Sequence, residues 1–133
     1  MGISQLKKLD SFVKRRKEIA LKYDKAFLNS FVKPLYSFNQ NSSYHLFVVK
    51  VDFSKLNISK VELFNKMREK NIGLQLHYIP INKQPFYKNL GYGKEPTPIM
   101  NRYYDECFSL PMYSSLSNEE QEYVIKTLLE ILK

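Results

Sequence analysis

The chain has 133 residues, 44% of them hydrophobic and 26% charged, the size and balance of one globular domain rather than of a fibrous or disordered polymer. Its 21 Lys and Arg against 13 Asp and Glu leave a net charge of +8, which suits an anionic partner such as phosphate, nucleic acid or an acidic membrane surface. Its one cysteine excludes an internal disulfide, no leader pattern opens the chain, and no apolar run approaches the ~20 residues of a membrane span; a cytoplasmic protein is expected.

Leu6, Leu9, Val13, Ala20, Tyr23, Phe27 and Phe31 fall on one stripe and predict a single helix over about residues 3–31, stopped by Pro34. A capping box starting at Ser4 would need Glu where Lys7 stands, so the start reads as cut from something longer. Most of the excess positive charge lies here, balanced only by Asp10, Glu18 and Asp24. The run Lys14-Arg15-Arg16-Lys17 spreads over about 300° of a helix and cannot all face one duplex. Arg16 alone falls within the apolar stripe, where a guanidinium either meets a carboxylate, phosphate or carbonyl or snorkels to water.

Residues 44–53 are β-branched and aromatic and predict a central strand, with His45, Phe47, Val49, Val51 and Phe53 facing inward and Lys50 and Asp52 on the wetter side. Ser59 and Glu62 form a capping box for a helix that buries Leu63, Phe64 and Met67, with Gly73 as its stop. Residues 74–78 predict a second strand. Pro80, Pro85, Gly91, Gly93, Pro96 and Pro98 then break up a long loop whose Phe86, Tyr87, Leu90 and Tyr92 are too apolar for disorder, so the loop is read as functional. Thr97-Pro98 opens a helix to about Glu106, Phe108 to Leu110 form a short strand, and Ser117 with Glu120 caps a closing helix that buries Val124, Ile125, Leu128, Leu129 and Leu132. The fold class is α+β: one domain over 1–133, with a long linking helix at about 3–31 and a small antiparallel or mixed sheet flanked by helices over 44–133.

No paired carboxylates, nucleophile elbow or phosphate-binding glycine loop is present, so no catalytic residue is assigned. His45, His77 and Cys107 do not stand at metal-ligand spacing, and no metal is expected. The segment from His77 to Tyr87 packs donors, acceptors and rings into a proline-stiffened loop; it suits binding of a polar ring, or its aromatics plug the loop onto the core.

Several spaced motifs, Gly2 to Asp10, Arg15-Arg16, Tyr23, Ser43 to Leu46, Gly73 to Pro80 and Ser109 to Tyr113, together resemble the C-terminal third of the DegT/DnrJ/EryC1/StrS sugar aminotransferases. The wording around His77-Tyr78, Gln84 to Tyr87, Leu90 to Tyr92 and Tyr103-Tyr104 is most similar to the pseudaminic acid branch of that family. The resemblance implies the small domain of a fold-type-I, pyridoxal-phosphate-dependent enzyme that moves an amino group from glutamate to C4 of a UDP-linked 4-keto-6-deoxy sugar. It implies a large cofactor-bearing domain that is absent here, and a second subunit in a homodimer. Pyridoxal phosphate belongs to the complete enzyme, with none bound by this chain alone, and neither nucleic acid nor membrane is a partner. His77, Tyr78, Asn82 and Gln84 are implied to face substrate, and His45 to lie with Arg16 near the domain junction or a phosphate. Asn82 departs from relatives that carry a second histidine there; it keeps hydrogen bonding and loses titration. The alternative is a stand-alone basic α+β module that binds nucleic acid or another polyanion.

Overall fold

The computed structural model describes residues 2–133. Helices α1 (Gly2–Leu6) and α2 (Leu9–Ala26) lead into strand β1 (Val32–Pro34), then β2 (Phe47–Val51), α3 (Lys60–Glu69), β3 (Gln75–Leu76), α4 (Pro85–Asn89), α5 (Pro98–Glu106), β4 (Cys107–Leu110) and α6 (Asn118–Ile131). The strands form one antiparallel sheet in the order β1-β2-β4-β3. The α+β class expected from the sequence is the class observed.

Both capping boxes form as spaced. Ser59 Oγ accepts from the Glu62 amide at 3.2 Å while the Glu62 carboxylate accepts from the Ser59 amide at 2.8 Å, and Ser117 with Glu120 repeats this at 3.1 and 2.8 Å. Each box satisfies donors that a helix start leaves open, which is worth about 1 kcal/mol.

One face of the sheet, carrying Val32, Phe47, Val49, Val51, Phe108 and Leu110, packs on α2, α3 and α6 and makes the core with Ile19, Tyr23, Phe27, Leu63, Met67 and Leu128. Tyr23 lies at the centre of it. Its ring stacks on Phe27 at 5.9 Å and meets Phe47 at 5.1 Å. Burial pushes its phenol well above the usual range, and the hydroxyl donates to the Pro111 carbonyl at 3.1 Å. Gln121 on α6, also buried, donates to the Ile19 carbonyl at 2.8 Å and ties α6 to α2.

Several sequence expectations are corrected. The helix expected over 3–31 breaks at Lys7-Lys8 and stops at Ala26, because the Ser30 hydroxyl accepts from the Val32 amide at 3.2 Å and Pro34 demands extended backbone before it. The resulting strand β1 was not anticipated. Ser4 lies inside α1 and is not a cap. The strand expected over 44–53 is confined to Phe47–Val51, since Tyr44 has φ 49° and Asp52 caps a single 3₁₀ turn, Phe53–Lys55, by accepting from Ser54. His45 therefore lies outside the strand and is exposed rather than inward-facing.

Asn71, not Gly73, supplies the left-handed residue that ends α3. Its φ is 59°, its amide donates to Arg68, and the following Ile72 amide donates to Met67 at 2.9 Å, closing the turn while Ile72 enters the core. The strand expected over 74–78 is shortened to Gln75–Leu76. The long loop holds a 3₁₀ turn, Ile81–Lys83, and helix α4, which Pro85 opens and Gly91 ends at φ 94°.

Candidate functional site

The second face of the sheet carries Lys33, Val48, Lys50, Cys107, Ser109 and Gln75, paired in register across the strands. Helix α5 lies on it, over β2 and β4, where Glu106 approaches Lys50 at 3.9 Å and takes a hydrogen bond from Arg102 Nε at 3.0 Å. Side chains alternate along a strand, so His77, two residues after Gln75, comes to the Ser109 side. Its Nε2 lies 2.9 Å from Ser109 Oγ and its Nδ1 is hydrogen-bonded to the Tyr103 hydroxyl on α5. The His77 and Tyr103 rings are 5.3 Å apart.

Burial, and then the positive charge of Lys60, hold His77 below the ordinary imidazole range. Burial pushes the Tyr103 phenol up. Lys60, the first residue of α3, donates to the carbonyls of Tyr104 and Cys107 at the end of α5 and lies 5.2 Å from the Tyr104 ring centre. This contact caps the negative end of α5.

Of the residues singled out in the sequence, Tyr78 is 97% exposed beside this cluster. Asn82 donates through Nδ2 to Glu95 at 3.3 Å, while its buried Oδ1 has no hydrogen-bond partner. Glu95 also accepts from the Gly93 amide at 2.7 Å, which closes the loop on itself. Ile81, Tyr87, Tyr92, Thr97 and Met100 line a cavity of about 430 Å³ next to Asn82 and Glu95. Gln84 is half-buried at the start of α4 and leaves its side chain outside the helix cap.

Among the described residues no hydrogen bond or ion pair joins Arg16 or His45 to this segment. Arg16 Nε is buried without a partner, whereas Arg15 donates to Glu18, to the Leu116 carbonyl and to Asn118. Lys22 likewise meets Glu122 at 2.7 Å. These two cations of the basic helix are spent within the chain, which removes them from a polyanion-binding face. Among the described residues no three His, Cys, Asp or Glu side chains converge, and no helix is long and apolar enough to cross a membrane. Sequence reasoning did not assign Tyr103, Ser109 or Glu95 to the site, because each meets its partner only through strand pairing or loop closure.

The α+β fold is that of a domain of pyridoxal-phosphate-type aminotransferases. The chain belongs to the DegT/DnrJ/EryC1/StrS aminotransferase family, whose sequence pattern it matches over residues 1–129. It is 34% identical to the spore coat polysaccharide biosynthesis protein SpsC of Bacillus subtilis, across all of this chain and 35% of that protein. It is 33% identical to the UDP-4-amino-4,6-dideoxy-N-acetyl-beta-L-altrosamine transaminase of Campylobacter jejuni, again across all of this chain and 35% of that protein. Among solved structures, PseC of Helicobacter pylori, an aminotransferase involved in the biosynthesis of pseudoaminic acid, superposes with a TM-score of 0.87 at 27% identity over 98% of this chain and 35% of that one. Spr1654 of Streptococcus pneumoniae, solved in apo, PLP and PMP forms, superposes with a TM-score of 0.87 at 29% identity over 98% of this chain and 33% of that one. The chain thus spans about a third of the length of the relatives it matches.

Lys60 does not fit as a lysine for pyridoxal phosphate. The lysine that burial holds below its usual range is Lys60. Its ammonium is occupied by two main-chain carbonyls, at a helix C-terminus whose dipole repels a phosphate.

Proposed function

We propose that this chain is the C-terminal, substrate-side domain of a pyridoxal-phosphate-dependent aminotransferase that aminates C4 of a UDP-linked 4-keto-6-deoxy sugar with glutamate as donor. The pathway is bacterial surface or flagellar glycan synthesis of the pseudaminic acid type. The cofactor and its lysine belong to a large domain, and a second subunit completes a homodimer. The chain by itself is inactive.

The observation that carries this reading is the segment from His77 to Gln84, half-buried at its polar residues with Tyr78 97% exposed, beside the sheet face that α5 covers, in a chain of this aminotransferase family. Tyr78, Asn82 and Gln84 line the substrate side, with the ring of Tyr78 free to stack. Arg16 and His45 lie toward the domain junction, where a carboxylate or the diphosphate pairs with the unsatisfied Arg16 Nε.

The test is transamination by the complete enzyme. Tyr78→Ala and Gln84→Ala are expected to raise the KM for the sugar nucleotide about tenfold, leaving the KM for glutamate unchanged, since a lost binding contact of about 1.4 kcal/mol is tenfold in affinity. Amination of an unrelated keto acid with no response to UDP-sugars would overturn it.

A further inference from the structure

We infer that His77 is a positioning residue, a bridge from Tyr103 to Ser109 that fixes where the chain leaves the sheet, and that Tyr78 rather than His77 meets the ligand. Strand β3 is 2 residues long and pairs with β4 only through Gln75 with Ser109 and Leu76 with Phe108. So short a ladder holds the following segment weakly. The imidazole supplies the missing anchorage. Ser109, its partner at 2.9 Å, is 1% exposed and sits in the strand register between Val48 and Gln75, at the rigid middle of the sheet. Tyr103, its other partner, belongs to α5.

A neutral imidazole has one donor and one acceptor, and a hydroxyl can serve either, so the two hydroxyls complete the ring in either tautomer. The titratable and charged groups around it do not favour a proton. Lys60 from α3 is a cation, Tyr103 is a phenol pushed up by burial, and Cys107 and Tyr36 lie beyond Tyr103. Glu106, the acid of α5 on this side, is turned to Arg102 and Lys50. With both nitrogens engaged and no charge, His77 has no polar atom to offer a ligand. The neighbouring Tyr78 is 97% exposed.

The bridge stands independently of the proposed function; the ligand contact rests on it. Ring-nitrogen NMR of this chain from about pH 5.5 to 8 spans the range in which an ordinary histidine titrates. The expected result is one neutral state of His77 throughout the upper part of that range and a midpoint below the ordinary one. Tyr103→Phe is expected to speed amide exchange at Gln75 to Ile79 about 3- to 10-fold, the weight of one hydrogen bond. An ordinary midpoint in the unaltered chain, or no response to Tyr103→Phe, overturns the bridge.

In the complete enzyme, His77→Gln, which keeps a donor and an acceptor, is expected to stay within about twofold in kcat and KM, while Tyr78→Ala raises the KM for the UDP-sugar about tenfold. A hundredfold loss of kcat in His77→Gln, with Tyr78→Ala silent, overturns the assignment. An enzyme that ignores UDP-sugars altogether defeats the proposed function, and the NMR result still decides the bridge.

Discussion

The guanidinium of Arg15 on α2 donates to the carbonyl oxygen of Leu116 at 2.6 Å, just before the cap of α6, and the same nitrogen reaches Asn118 Oδ1 at 3.0 Å. A charge-assisted bond to a half-buried carbonyl ties the first long helix to the last. Arg16, one position on, has no such partner for its buried Nε. In this chain Arg15→Leu is therefore expected to lower unfolding stability by about 2 kcal/mol, and Arg16→Leu by less than about 1 kcal/mol. The midpoint of urea denaturation reads both. In the complete enzyme the expectation differs, since Arg16 gains its partner there and Arg16→Leu is expected to cost as much as Arg15→Leu; the same small cost of Arg16→Leu in this chain and in the complete enzyme would remove the proposed junction contact.

Backbone conformation separates three small-residue positions. Asn71→Ala is expected to destabilise by about 1 kcal/mol, because φ 59° is costly for a residue with a β-carbon and no local hydrogen bond. Gly73→Ala is expected to be near neutral, since its φ is not positive and nothing lies within 4 Å of the added carbon. Gly93→Ala is expected to open the loop, because φ is +98° and the added carbon would sit 2.9 Å from the Asn82 carbonyl oxygen. Hydrogen exchange over residues 81–95 and thermal melts distinguish the three outcomes.

Stability should fall on acidification in two stages. His77 has a depressed value in the folded state, so its contribution is complete above about pH 6.5, the unfolded value, and declines as pH drops through the folded one. Asp52, held low chiefly by the Ser54 hydroxyl, and Glu62, held low chiefly by the Ser59 amide, behave alike at lower pH, contributing above about pH 4 and losing their effect below it. Denaturation midpoints across pH should show both stages, and His77→Gln should abolish the first while sparing the second.

Among the described residues, the amino-terminal part of the apolar stripe is largely exposed. Ile3 is 77% and Leu6 66% exposed, and Leu9 is also largely open, although the same stripe is fully buried at Ala20, Tyr23 and Phe27. Contiguous apolar surface of this kind promotes association. Light scattering should show concentration-dependent self-association of the chain, and replacing Ile3, Leu6 and Leu9 together by Gln should return a monomer without lowering its melting temperature.

The sequence by itself determined the elements whose signals are local. Ser59 and Glu62, or Ser117 and Glu120, lie within a single helical turn, so their capping boxes formed as spaced; the β-branched run within residues 44–53 and the 3.6-residue rhythm of α6 likewise placed their core faces, though the strand proved shorter, Phe47–Val51, and ordered motifs along the chain pointed to the family. Other features depended on residues distant in sequence. His77 meets Tyr103 26 positions away and Ser109 32 positions away, contacts that exist only because β4 inserts between β2 and β3. The division of labour between Arg15 and Arg16 also followed from packing: a periodic stripe states which face is apolar, but which arginine finds a carbonyl is fixed only when α6 is in place.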